Sequence, residues 1–172
     1  MAKDATPSTP YLKRGTKHGL ARYPHMIRSI LIALTAGARA MTPLAVVANA
    51  ARNGTLPADN NAPKFLSHPL VSLGTTALAT YELVGDKQRT APDRIIWPAI
   101  VIRSMNAAFA GAVLAPRRQR VPAALVAGAV AIVASYVTFT ARMKAMEEHS
   151  QMSTGLVEDA VIVSTAMAAA RA

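Results

Sequence analysis

An all-α fold, a transmembrane bundle of about five helices whose first helix is broken near Gly37–Pro43, follows from three features of this 172-residue sequence. Val121–Ala141 is a run of 21 residues without a charge, with no polar face. At about 1.5 Å per residue it matches a hydrocarbon core about 30 Å thick. Hydrophobic residues make up 52% of the chain, gathered into four further runs: 26–51, 65–85, 95–115 and 155–170. The net charge of +10 sits mostly in the N-terminal stretch and at the flanks of these runs. That is the pattern of a membrane protein sorted by its positive loops, and it argues against a nucleic-acid surface.

Residues 1–25 are polar and basic, with Lys3, Lys13, Arg14, Lys17 and Arg22. They read as a cytoplasmic tail that anionic headgroups would hold. The tail has no apolar core of signal-peptide type, so the first apolar run is expected to act as an uncleaved anchor. Pro7, Pro10 and Gly15 interrupt any amphipathic helix of the transit-peptide kind. Helix one covers about 26–51, and Gly54 is positioned to end it. Residues 53–64 are rich in Asn, Gly and Pro and form a loop. Helix two covers 65–85, with Pro69 suited to a first turn. A charged loop leads to helix three at 95–115. The basic turn from Pro116 to Arg120 leads to helix four at 121–142. A polar link over 144–154 precedes helix five at 155–170.

With the N-terminus inside and five crossings, eleven Lys and Arg fall on the inner side and six on the outer side. The excess favours a cytoplasmic N-terminus and an outer C-terminus. Ile27-Arg28-Ser29 and Ile102-Arg103-Ser104 are identical tripeptides that would suit a parallel repeat, although chance alone supplies one such match in a chain this long.

The informative residues are charges inside the apolar runs. An ionised side chain at mid-membrane costs at least about 2.5–3.5 kcal/mol on insertion scales, so it faces a partner or a polar cavity. Arg39 lies deepest, thirteen residues beyond Met26, too far in to snorkel easily. Asn106, Thr75, Thr76 and Thr80 are within its expected reach. Its charge suits an anion, a carboxylate, or the carbonyl end of a broken half-helix. On the inner side, Glu82 and either Glu158 or Asp159 are expected to pair with Arg103 and Arg142. Glu158 and Asp159 also suit a helix N-terminus. The plain structural alternative is that these charges staple helices together or reach the headgroups. Glu82 and Asp86 form an i, i+4 carboxylate pair that could do acid–base work or hold a cation, but such a pair is more often a charged helix end.

Small residues recur at helix-contact spacing: Ala107, Gly111 and Ala115; Ala124 and Gly128; Ala127, Ala131 and Ser135. Such faces let backbones approach closely in lipid, within a chain or between copies. There is no Cys, and His18, His25, His68 and His149 are scattered, so no thiolate chemistry or metal site is expected. No phosphate-cradling loop or nucleophile constellation is present, so neither enzyme activity nor a cofactor is predicted.

The segment Gly37-Ala38-Arg39-Ala40-Met41-Thr42-Pro43 resembles the Gly-Leu-Arg-Thr-x-x-Pro signature of a family of small bacterial integral membrane proteins, catalogued only as a domain of unknown function. Glu82 through Lys87, Arg103 with the small residues to Gly111, and Glu158-Asp159 extend the likeness over about 27–170. Met41-Thr42 departs slightly from the pattern. The resemblance implies a polytopic helical protein of the bacterial inner membrane and no established activity.

Three functions fit these features. The first is a small-solute or ion transporter or channel-like protein, working as a homo-oligomer. The second is a structural or accessory subunit of a larger membrane complex. The third is an organiser that binds membrane lipids. Nucleic acid is not an expected partner.

Overall fold

The computed structural model describes residues 24–85 and 95–171. Among them are six α-helices and one short 3-10 turn, with no strand. The helices are α1 (Pro24–Ala38), α2 (Thr42–Asn53), α3 (Pro69–Gly85), α4 (Trp97–Leu114), α5 (Arg120–Glu148) and α6 (Gln151–Ala170), and Lys64–Ser67 forms the 3-10 turn. Of these, α4 and α5 are long and apolar enough to cross a membrane.

The break expected in the first apolar run is a complete interruption. α1 stops at Ala38, and α2 restarts at Thr42 with Pro43 in its first turn. Proline fits there because its missing N–H has no intrahelical partner in any case. α2 ends at Gly54, whose φ of 67° is left-handed. The Gly54 and Thr55 N–H groups close the end on the Ala51 and Ala50 carbonyls.

The chain reverses at this break. On α1, Ser29 Oγ donates to the Gly111 carbonyl of α4 at 3.0 Å, and Arg103 donates back to the Gly37 carbonyl at 3.2 Å. α1 therefore runs antiparallel to α4, toward its start. Beyond α2, the Asn61 N–H donates to the Val113 carbonyl, at the same end of α4 that Ser29 meets. The ring of Phe65 stacks on Phe109. α1 and α2 are thus the two arms of a helical hairpin with Arg39, Ala40 and Met41 at its tip. One end of the bundle, called the near end here, carries the start of α1, the end of α2, the α4–α5 turn and the end of α6. His25 meets Gln119 there, and Ile32, Val47, Val113, Leu114 and Ala169 share one apolar core. The α5–α6 turn lies at the far end.

This corrects the expectation of a single first helix crossing the bundle from side to side. It also removes the parallel repeat, since α1 and α4 run in opposite directions. The matching serines do share a local job: Ser104 Oγ donates to the Gly128 carbonyl, as Ser29 does to Gly111. Other bounds shift as well. α5 runs past Arg142 to Glu148 because Met143, Lys144, Ala145, Met146 and the two glutamates are good helix formers. α6 starts at Gln151, where the Ser150 hydroxyl accepts the Ser153 N–H as an N-cap.

Packing is by small residues. Ala107, Ala127 and Ala131 are fully buried between α1, α4 and α5. A Cβ on Gly37 would lie 2.6 Å from the Ala134 carbonyl carbon and 2.8 Å from the Ser135 nitrogen, so α1 and α5 touch backbone to backbone. Gly37 is therefore a contact glycine inside α1, not the residue that bends the chain. Larger apolar side chains, among them Leu73, Trp97, Leu125, Val133 and Val157, face outward.

Candidate functional site

The hairpin tip collects the charges. The tip meets α5 and α6 near their middles: Gly37 meets Ala134, fourteen residues into the 29-residue α5, and Arg39 meets Asp159, midway along α6. On α3 and α4 it meets residues nearer the helix ends, Glu82 three residues before the end of α3 and Arg103 six residues after the start of α4. α5 is about 43 Å long at 1.5 Å per residue, so the tip lies about 20 Å from either end of α5.

Each exposed end of the interrupted backbone has a polar partner. At the end of α1, the Gly37 carbonyl accepts from Arg103 and the Ala38 carbonyl from Arg39 Nη1 at 3.4 Å. At the start of α2, the Ala40 and Met41 N–H groups donate to the two oxygens of Glu82, at 2.6 and 2.8 Å. The Ala40 carbonyl accepts from Asn106 Nδ2 at 3.0 Å. Cations thus meet a helix C-terminus and a carboxylate meets a helix N-terminus, the favourable sense of the macrodipole at both.

The side chains form a second layer. Arg39 is fully buried and directs Nε, at 2.9 Å, and Nη2 onto the same Asp159 oxygen. Its Nη2 lies 3.6 Å from Glu158 Oε2, which also accepts from Arg142 Nη1 at 2.9 Å. The order Asp159–Arg39–Glu158–Arg142 is a continuous alternation of sign. Among the described residues, Glu82 and Arg103 bring the tip to three cations and three carboxylates, which limits the cost of burying them.

Several expectations change here. Glu82 bonds backbone N–H groups rather than an arginine. Glu158 and Asp159 lie eight and nine residues into α6, so they do not serve its N-terminus. Arg39 joins the acidic pair of α6 at one level instead of lying deeper than it. Asn106 meets the backbone next to Arg39, and Thr75, Thr76 and Thr80 turn their hydroxyls onto carbonyls of α3. Asp86, and with it the Glu82–Asp86 pair, lies outside the described residues. The role of Glu82 as a cap on another helix was not read from the sequence. The signal was an acidic residue in an apolar helix when the broken first helix needed an acceptor.

What the described residues define is an all-helical bundle with an inward-folded helical hairpin and a tip of alternating charges. No protein-family model, curated protein or solved structure matches the chain. The likeness to a family of small membrane proteins rests on the sequence motifs alone, Gly37–Pro43 with Glu82–Lys87, Arg103 to Gly111 and Glu158-Asp159.

Proposed function

We propose that this is a multi-pass bacterial inner-membrane protein of the small-solute or ion transporter type, built on a re-entrant α1–α2 hairpin. The observation that carries the reading is the reversal of the chain inside the bundle, level with the middles of α5 and α6. Non-helical backbone within a membrane is tolerated only when protein buries it or it lines a cavity. Interrupted helices whose ends meet polar groups near the midplane are how transporters build solute and ion sites. Alanine inside and leucine, valine and tryptophan outside suit a lipid-facing bundle.

The hairpin also sharpens the orientation. Among the described residues, Arg28, Arg52, Lys64, Arg117, Arg118, Arg120 and Arg171 belong to segments at the near end, Lys144 to the far side, and Arg39, Arg103 and Arg142 to the tip. This asymmetry of seven to one supports a cytoplasmic near end, with the start of α1 and the end of α6 inside. α4, α5 and α6 then cross, α3 starts from the cytoplasmic end, and the hairpin enters and leaves from the cytoplasm.

Uptake into proteoliposomes, over a panel of ions and small organic solutes, tests the transport reading. The expected result is uptake above empty vesicles, with a changed rate in Glu82→Gln at unchanged insertion. No uptake of any solute overturns it. The accessory-subunit reading has one observation in its favour: the charges of the tip have partners within the chain. Copurification of a stoichiometric partner after mild extraction, with no uptake by the isolated protein, would establish that reading instead.

A further inference from the structure

The tip is not equally deep on its two sides. Toward the far end, Glu82 lies three residues before the end of α3, Arg103 six residues after the start of α4, and Asp159 eight residues after the start of α6. At about 1.5 Å per residue these are distances of about 4.5, 9 and 12 Å. Toward the near end, α2 runs eleven residues on from Thr42 to Asn53, and α1 runs fourteen back from Ala38 to Pro24. Those distances are about 16 and 21 Å.

The near side is also sealed. Ile32 of α1, Val47 of α2, Val113 and Leu114 of α4, and Ala166 and Ala169 of α6 share one core, and each is fully or almost fully buried. Ile32 lies seven residues before Arg39, and Val47 five residues after Thr42. The seal therefore begins within about 10 Å of the tip. The half-open cleft of about 340 Å³ between α2, α3 and α6 reaches Thr42 from the near end, but Thr42 is 3% exposed and Pro43 beside it is fully buried.

The tip itself is partly open. Ala40, Met41, Glu82 and Asn106 are half-buried, and Glu158 and Asp159 keep 15% and 13% of their side chains exposed. Arg39, Arg103 and Arg142 are buried behind them. Charged groups within a membrane face the bundle interior or a water-filled cavity, because hydrocarbon cannot solvate them. Open carboxylate surface at the tip therefore calls for water, and the shorter, unsealed way in is from the far end.

We infer that the tip is the floor of a water-filled vestibule open to the far, extracytoplasmic side, so that this structure is the outward-facing state. The core of Ile32, Val47 and Leu114 is the closed inner gate. Inward access requires α2 to part from α1 and α4 across that core. Arg39, Ala40 and Met41 belong to neither arm's helix, which suits them to act as the hinge. The inference rests on the transport reading and deepens it, by stating the side from which a solute reaches the tip.

The test is thiol accessibility of single-cysteine variants of the full chain, in right-side-out and in inverted membrane vesicles, with a membrane-impermeant cationic methanethiosulfonate. Met41→Cys and Ala40→Cys should react at least about tenfold faster from the far side than from the cytoplasmic side, where reaction waits on transient opening. Val47→Cys and Leu114→Cys should react from neither side, and every variant should react after denaturation. Two tip positions keep the test decisive where one substitution disturbs folding. Tip thiols that react from the cytoplasmic side, from both sides equally, or from neither side overturn the inference. So does rapid reaction of Val47→Cys or Leu114→Cys from either side. Far-side reaction without uptake of any solute removes the transport reading and leaves the vestibule. Uptake with tip thiols open only to the cytoplasm removes the vestibule and leaves the transport reading.

Discussion

Deleting Arg39 or Asp159 should expose how much the hairpin tip depends on their pairing. Arg39→Ala takes the guanidinium from Asp159 and the Ala38 carbonyl and leaves Glu158 with Arg142. Asp159→Ala takes a carboxylate from a guanidinium that is fully buried. The two changes differ in cost because Asp159 keeps 13% of its side chain exposed and Arg39 keeps none. Breaking a buried pair by removing one partner costs about 3–5 kcal/mol. Asp159→Ala should fall near the upper end, moderated by Glu158 at 3.6 Å from Arg39. Arg39→Ala should fall near the lower end, at about 3 kcal/mol, a factor of roughly 150 in the unfolding equilibrium. The double variant should be less damaged than the sum of the singles, with a coupling of about 2 kcal/mol for two residues in direct contact. Reversible unfolding in mixed micelles of rising sodium dodecyl sulfate content measures all four proteins. Single variants within about 0.5 kcal/mol of wild type, or single effects that simply add, would refute the reasoning.

Two more predictions concern the backbone at the tip. Gly37→Ala forces a methyl against the Ala134–Ser135 peptide and should cost about 1–3 kcal/mol by overpacking. Gly74→Ala, where an added methyl meets nothing within 4 Å, is the control, and equal stability of the two variants would contradict the close α1–α5 contact. Glu82→Gln keeps the size of the side chain but leaves one oxygen to accept from two N–H groups, at a cost of about 1–3 kcal/mol. Amide hydrogen exchange at Ala40 and Met41 should accelerate accordingly, and unchanged exchange would show that Glu82 does not cap α2.

The sequence made the helices legible because each apolar run is bounded by Gly, Pro or charge. Gly54 as a terminator, Pro69 in a first turn and the interruption before Pro43 were all readable from local chemistry. The reversal was not. A proline after a small-residue stretch marks where a helix stops, whatever direction the next one takes. That direction is set by long-range bonds such as Asn61 to Val113 and Ser29 to Gly111. The site residues were found as charges out of place in apolar runs, which is why Arg39, Glu82, Arg103, Arg142, Glu158 and Asp159 stood out. Their pairing depended on the hairpin. With a straight first helix, Glu82 has no orphaned N–H groups to meet, and an arginine is its natural partner.

Because the chain has no cysteine, single-cysteine variants report the sidedness of the hairpin without background. Ser8→Cys, Ala58→Cys, Arg118→Cys and His149→Cys, labelled with a membrane-impermeant maleimide in intact cells and in inverted vesicles, test the central claim. A re-entrant hairpin predicts that positions 8, 58 and 118 label only from the cytoplasmic side and position 149 only from the other. Labelling of position 58 from the side opposite to position 8 would mean that the first apolar run crosses the membrane, and the hairpin account would be contradicted.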